Sequence, residues 1–206
     1  MIEIKNLNKI YLKGKKNMVH ALNNINLKID DRETVAIIGE SGAGKSTLLH
    51  IMSCIDNFDG EYYLDNIDIN KLSESKKSKL RSSKIGIVLQ DFALIDDFTV
   101  FENVMTPLYF NKKIKDKKGS VMRALKKTGI ASLKSKKVSQ LSGGQKQRVA
   151  ISRALVTSPE YIFADEPTGS LDSKTSEEIV KMLFDLNRNG TVSYTHLRAH
   201  ETRSNL

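Results

Sequence analysis

The 206-residue chain lacks long apolar runs. The longest are strand-sized, far short of the roughly 18 residues that mark a membrane-spanning helix. Its start, Met1-Ile2-Glu3-Ile4-Lys5, lacks the basic-then-apolar layout of an export signal, so the protein is expected to stay in the cytoplasm. Cysteine is nearly absent. The single Cys54 excludes an internal disulfide, which suits a reducing compartment. It is read as a buried structural thiol on the helix that carries it. Tryptophan is missing and aromatic residues make up only 6%. They are not interleaved with the lysines, which argues against a platform for stacking nucleic-acid bases. Acids are also scarce, 24 against 33 basic residues, for a net charge of +9. The excess concentrates in Lys76, Lys77, Lys79, Arg81 and Lys84, then from Lys112 through Lys137. A solvated, lysine-rich helical face accounts for it, with an anionic membrane surface as the alternative. The remaining balance, 39% hydrophobic and 28% charged residues, suits a soluble globular protein with a real core.

What is present begins with Gly39-Glu40-Ser41-Gly42-Ala43-Gly44-Lys45-Ser46-Thr47, which has the spacing Gly, four residues, Gly-Lys-Ser/Thr. Thr34-Val35-Ala36-Ile37-Ile38 precedes it as a buried strand. Leu48, Leu49, Met52 and Ile55 follow at helical spacing. A glycine-rich loop between strand and helix presents consecutive N–H groups to an anion at a helix N-terminus. Lys45 would then reach the outer phosphates of a nucleotide, and the Ser46 hydroxyl would meet Mg²⁺.

Elsewhere, Ile2 and Ile4 alternate with charged residues, as do Ile25, Leu27 and Ile29, predicting strands between Met1 and Ile29 around a polar loop from Tyr11 to Lys16. Gly60 to Ile69 reads as a hairpin turning at Asp65-Asn66. Lys71 to Ser83 reads as a helix. Ile85 to Leu89 and Tyr161 to Ala164 read as buried strands that end at Gln90 and at Asp165-Glu166. From Phe92 to Lys137 the pattern is helical, with loops at Pro107 and around Lys117-Lys118-Gly119. A helix capped by Ser142 runs on to Thr157. Ser173 to Leu186 is an amphipathic helix, stopped by Asn189-Gly190.

Leu141-Ser142-Gly143-Gly144-Gln145-Lys146-Gln147-Arg148 resembles the signature motif of ATP-binding-cassette (ABC) ATPases. Tyr161 to Glu166 looks like the Walker B strand followed by the catalytic glutamate, Gln90 like the Q-loop glutamine and Ser170-Leu171-Asp172 like the D-loop. Tyr11 falls where that family places its adenine-stacking aromatic. Order and spacing agree from Met1 to about Thr191. The resemblance implies an α/β fold: a P-loop NTPase core with an N-terminal antiparallel β subdomain and a helical insertion, about 91–157, carrying the signature motif. It implies ATP and Mg²⁺ as cofactors. Tyr11 and the whole phosphate loop (Gly39, Glu40, Ser41, Gly42, Ala43, Gly44, Lys45, Ser46, Thr47) would hold the nucleotide. Ser46, Gln90 and Asp165 would face the metal. Glu166 would accept a proton from the attacking water, with Lys45 and Gln90 completing the catalytic set. Ser142, Gly143, Gly144 and Gln145 would meet the γ-phosphate bound by a second copy, giving an isologous homodimer closed by two ATP molecules. A multi-pass membrane permease on a separate polypeptide would be the other partner, touched by Gln90 and the helical insertion, with this chain peripheral on the inner face of the cell membrane. Ser53-Cys54-Ile55-Asp56 and the run Glu166 to Thr175 resemble exporters of the macrolide, lipoprotein-release and antimicrobial-peptide type. The expected function is to power export or transmembrane mechanical work by ATP hydrolysis. The alternatives are a soluble ABC-type ATPase acting on nucleic acid or ribosomes and an inactive fragment of the transporter subunit. Tandem cassettes, coiled-coil arms and zinc insertions are missing, so no nucleic-acid partner is expected.

The resemblance breaks after Gly190-Thr191. The family continues with a buried strand and Thr-His-Asp. Here Tyr194-Thr195-His196 looks like the switch-histidine motif, but Ser193 lies in the short strand before it and Leu197 stands where the aspartate belongs. Val192 to Thr202 is similar to one reading frame of a transposon-based sequencing adapter. The expectation is therefore an ABC domain over residues 1–191 and a non-native tail over 192–206, with weakened ATP hydrolysis as the consequence.

Overall fold

The computed structural model describes residues 1–188 and 193–199. Strands β1 (Ile2–Tyr11) and β2 (Val19–Ile29) pair antiparallel, and Ile2, Ile4 and Ile29 turn inward as their alternation predicts. Strand β3 (Thr34–Gly39) leads into helix α1 (Lys45–Met52). Next come β4 (Asp59–Leu64) and β5 (Ile67–Asp68), joined at Asp65-Asn66. Both turn residues have positive φ, the conformation a two-residue hairpin turn requires and Asp and Asn tolerate. The first sheet has the order β2-β1-β4-β5.

After the hairpin, α2 (Glu74–Lys84) leads into β6 (Ile85–Val88). Three further helices follow: α3 (Val100–Phe110), α4 (Lys117–Lys127) and α5 (Gly143–Leu155). Strand β7 (Tyr161–Asp165), helix α6 (Ser173–Arg188) and strand β8 (Ser193–Ala199) complete the described chain. The second sheet has the order β3-β8-β7-β6, and all its pairings are parallel. Strand β7 is buried on both faces. Tyr161 and Phe163 join a core with β1, β4 and α1, whereas Ile162 and Ala164 join one with α5 and α6. A third core ties α3 and α4 to the other side of α5 through Val104, Leu108, Leu125 and Val149. Helix α5 therefore belongs to both the sheet and the helical insertion.

Three local expectations change. Pro107 lies inside α3 rather than in a loop. The proline costs the helix about 3 kcal/mol, but fully buried Val100, Val104 and Leu108, with the reciprocal Thr99–Glu102 cap, outweigh it. Lys117-Lys118-Gly119 forms the first turn of α4, because Asp116 accepts a hydrogen bond from the Gly119 N–H and leaves no room for a Cβ there. Helix α1 ends at Met52, so Cys54 stands beyond it in a left-handed turn. The Tyr62 hydroxyl closes that end on Met52 O, and Arg81 donates to Cys54 O. Ile55 is past the helix and exposed. Cys54 itself is buried, which pushes its thiol up to about 11 and suits the structural role. Residues 193–199, within the expected non-native tail, form a strand between β3 and β7, satisfying the facing backbone edges of both. A parallel slot with two ready edges demands backbone pairing before it demands particular side chains. The expected stop at Asn189-Gly190, the family boundary near 191, Val192 and residues 200–206 lie outside the described residues.

Where the sheets meet, Asp65 accepts hydrogen bonds from Lys84 Nζ at 2.6 Å and from the Tyr161 hydroxyl. Partial burial opposes its charge, but these donors and the Met1 ammonium outweigh it and hold the carboxyl well below the usual carboxylate range. Its stabilising contribution is therefore present above the unfolded pKa near 3.9 and is lost as pH falls through the lower folded value. Asp65→Asn is expected to cost about 1–2 kcal/mol at neutral pH. The gap between urea titrations of the two proteins should be constant above about pH 5 and narrow steadily as pH falls below about 4.

Candidate active site

Because the second sheet is parallel, the C-terminal ends of its strands share one edge. Strand β3 delivers the glycine-rich loop there, β6 delivers Gln90 after Leu89, and β7 delivers Asp165 and Glu166. This edge is where open α/β sheets bind ligands.

The loop turns at Gly42 and Gly44, with φ of 82° and 87°. Gly44 admits no other residue. A Cβ there would stand 2.3 Å from Ala21 O, on β2. The first sheet thus presses the loop against the start of α1. Ser41, Gly42, Ala43 and Ser46 remain exposed. Lys45 is 8% exposed, and its ammonium donates to Gly39 O at 3.0 Å and Glu40 O at 2.9 Å. No carboxylate pairs with it among the described residues. A buried cation facing only carbonyl dipoles, at the positive end of a helix, lacks an anion.

Asp165 is buried at the end of β7. Glu166 adopts φ 41°, a strained backbone for a non-glycine residue, costing on the order of 1–3 kcal/mol. Gly169 N donates to Glu166 O, and a Cβ on Gly169 would sit 3.3 Å from the Glu166 carboxylate. The tight turn therefore parks this carboxylate over a glycine. No cluster of three or more His, Cys, Asp or Glu side chains forms a metal cage among the described residues. One buried carboxylate, one exposed hydroxyl on Ser46 and one exposed amide on Gln90 instead match Mg²⁺, which keeps water and substrate phosphate oxygens as its other ligands.

Tyr11 ends β1 at the rim. Its hydroxyl donates to Asp56 at 2.7 Å, and Lys9 Nζ lies 4.8 Å from the ring centroid. Lys9 also pairs with Asp56 at 2.6 Å. Burial works against the Asp56 charge, yet the bonds from Lys9, Tyr11 and the Asn57 N–H hold this carboxyl low. Asp56 thus anchors the aromatic, a role that sequence spacing did not signal.

The signature residues occupy a different place, the N-terminus of α5. Ser142 Oγ accepts from Gln145 N at 3.4 Å, and Gln145 Oε1 accepts from Ser142 N at 3.1 Å. This reciprocal cap occupies the Gln145 side chain within its own helix. Gly143 and Gly144 pack on Leu171 and Thr175, where a Cβ on Gly144 would meet Thr175 Cγ2 at 2.5 Å. Close approach to the first turn of α6 requires glycine at position 144.

Residues 22–169 match the family model described as ABC transporter. The chain belongs to the ABC transporter family. It is 47% identical over 193 residues to the uncharacterized ABC transporter ATP-binding protein MJ0796 of Methanocaldococcus jannaschii, covering 91% of this chain and 82% of that protein. It is 42% identical to the lipoprotein-releasing system ATP-binding protein LolD of Wigglesworthia glossinidia brevipalpis, covering 91% and 82%. Against the macrolide export ATP-binding/permease protein MacB of Mannheimia succiniciproducens it is 43% identical over 92% of this chain but only 30% of that protein. A solved dimeric structure of the MJ0796 cassette, in a post-hydrolysis state bound to ADP and Pi, superposes with TM-score 0.86 at 41% identity, covering 98% of this chain and 88% of that one. The ABC fold and signature motif read in the sequence are those of this family, and the chain is an ATP-hydrolysing, ATP-binding subunit of an ABC transporter.

Gly44→Ala is expected to abolish nucleotide binding and lower the thermal unfolding midpoint by several degrees, since both the left-handed backbone and the 2.3 Å approach forbid a methyl group. Fluorescent-nucleotide titration and thermal denaturation of the two proteins check it.

Proposed function

We propose that this ABC subunit holds Mg²⁺ and ATP at the edge formed by β3, β6 and β7, and hydrolyses ATP between two copies of itself to power an export-type membrane permease. The observation that carries the reading is Lys45: a buried ammonium with two carbonyl partners and, among the described residues, no carboxylate partner, seated beside an exposed glycine-rich loop. When bound, Mg²⁺ supplies charge neutralisation at the phosphate oxygens. The protein's own residues do the rest. Gly42, Ala43 and Gly44 turn the loop so that backbone N–H groups face the phosphates, Lys45 pairs with the outer ones, and Ser46, Gln90 and Asp165 offer oxygen atoms to the metal. Glu166 accepts the proton of the attacking water. Tyr11 offers a ring face to adenine.

The cap at Ser142 leaves the Gly143 and Gly144 N–H groups at a helix start, suited to a phosphate on a second copy. The relative solved as a dimer with ADP and Pi supports this assembly. For the permease, the support is a groove of about 240 Å³ between the sheet and the helical insertion, lined by Ile55, Ile87, Leu89 and Pro107. Exposed Tyr109 and Phe110 follow on the same helix. No helix of the described chain is long and apolar enough to cross a membrane. The likeness to LolD and MacB supports export or mechanical work on the inner face of the membrane.

Glu166→Gln is expected to lower ATP turnover by about two to three orders of magnitude and to accumulate a dimer in the presence of ATP and Mg²⁺. Size-exclusion chromatography with light scattering reads the second effect. A variant that stayed monomeric under those conditions would rule out the shared-site mechanism.

A further inference from the structure

The segment between β6 and α3 carries Gln90 and is held from two sides. Phe92 N–H donates to Leu89 O at 3.1 Å, closing a tight turn with Gln90 inside it. Ala93 N–H then donates to Asp91 O at 2.7 Å. Phe92 and Ala93 are both left-handed, with φ of 62° and 45°. Two such non-glycine residues in succession cost roughly 1–2 kcal/mol each, so the turn needs support from outside itself.

That support comes from α5. The Arg153 guanidinium donates through Nη2 to Phe92 O at 2.7 Å and through Nη1 to Ala93 O. Its planar fork meets two successive carbonyls, which an ammonium could not match. Arg153 has no carboxylate within ion-pair distance among the described residues, so these carbonyls are its partners. Burial lowers its pKa, with the nearby Asp91 charge opposing that shift. The base of the clamp is rigid. Ala150, Ile151, Ala154 and Leu155 are buried against the sheet, and Gly86 of β6 lies so close to Ala154 that a Cβ would stand 2.6 Å from its carbonyl oxygen. Further along, the buried Asn103 side chain of α3 accepts from Ile95 N–H and donates to Ile95 O. Gln90 itself is exposed, and its side chain makes no hydrogen bond among the described residues, so its placement depends on the turn.

We infer that Arg153 is a positioning residue for Gln90, fixing the glutamine against the metal side of the site and tying its position to the helix that begins with the signature motif. This rests on the proposal that Gln90 faces Mg²⁺. The chemistry is simple. Without the fork, the two left-handed residues relax toward right-handed or extended backbone, the turn opens, and the Gln90 amide oxygen leaves the place where a metal ligand is needed. The phosphate loop lies on other elements and is untouched.

The test titrates a fluorescent ATP analogue into wild type, Arg153→Gln, Gln90→Ala and the double variant, each with Mg²⁺ and with EDTA. Arg153→Gln is expected to weaken binding on the order of fivefold with Mg²⁺ and not at all in EDTA. Gln90→Ala should show the same pattern, and the double variant should be no weaker than Gln90→Ala alone. Adding Ala93→Gly to Arg153→Gln should restore at least half of the loss, because glycine accepts the left-handed backbone without a clamp. Equal losses with and without Mg²⁺, additive losses in the double variant, or no loss would each overturn the assignment. Should Arg153→Gln not fold, Arg153→Lys takes its place, with a smaller loss of the same Mg²⁺ dependence expected; a loss that persists in EDTA overturns it there too. If wild type fails to bind the analogue under either condition, the failure belongs to the ATPase reading and not to the clamp.

Discussion

The close approach of β2 to the glycine-rich loop governs the site. With Ala21 O standing where a Cβ of residue 44 would be, the loop has one available path, and that path delivers Lys45 into a half-enclosed position with only carbonyl oxygens around it. An ammonium so placed gives up much of its water without gaining a counter-ion. An anionic ligand would settle the imbalance, and this is how the packing of an antiparallel sheet against a helix start supports the phosphate site proposed above. The N-terminal subdomain therefore shapes the catalytic loop directly, in addition to supplying Tyr11 at the rim.

A second constraint is the sharing of α5. One side packs on β6, β7 and α6, the other on α3 and α4. Arg148 adds polar ties in both directions, donating to Thr128 O and pairing with Glu178 at 2.9 Å. A helix gripped on two sides moves only as a rigid body. Its first turn carries Ser142, Gly143 and Gly144, and Arg153 near its other end grips the Gln90 turn. Both places are therefore joined by one packed element.

The site's acids show how strain is placed. Asp165 ends a strand buried on both faces, so its carboxylate is fixed by the sheet. Glu166, one residue on, takes a left-handed backbone stabilised by the turn to Gly169. The two neighbouring acids are thereby held differently although they are adjacent in the chain, one at a buried strand end and one in a left-handed turn, which suits the separate tasks proposed for them.

Much of this was legible in the amino-acid order. The phosphate loop, the signature run, the Asp165-Glu166 pair and the Asp65-Asn66 hairpin are local patterns, and the backbone needs of glycine, the capping chemistry of Ser142 and the alternation of buried strands are properties of a few consecutive residues. Pro107 and Lys117-Lys118-Gly119 read as breaks because local propensity disfavours helix there, and burial of Val104, Leu108 and Val121 together with the Thr99 and Asp116 caps reverses it. Asp56 and Arg153 carried no local signal at all, since their partners Tyr11 and Phe92 lie far away in sequence. The pairing of residues 193–199 between β3 and β7 is likewise set by strands far away in sequence. The amino-acid order by itself determined which chemistry this chain carries, because catalytic motifs are short. The tertiary structure alone decided which groups hold that chemistry in position, because hydrogen bonds and close backbone contacts join residues that only folding brings together.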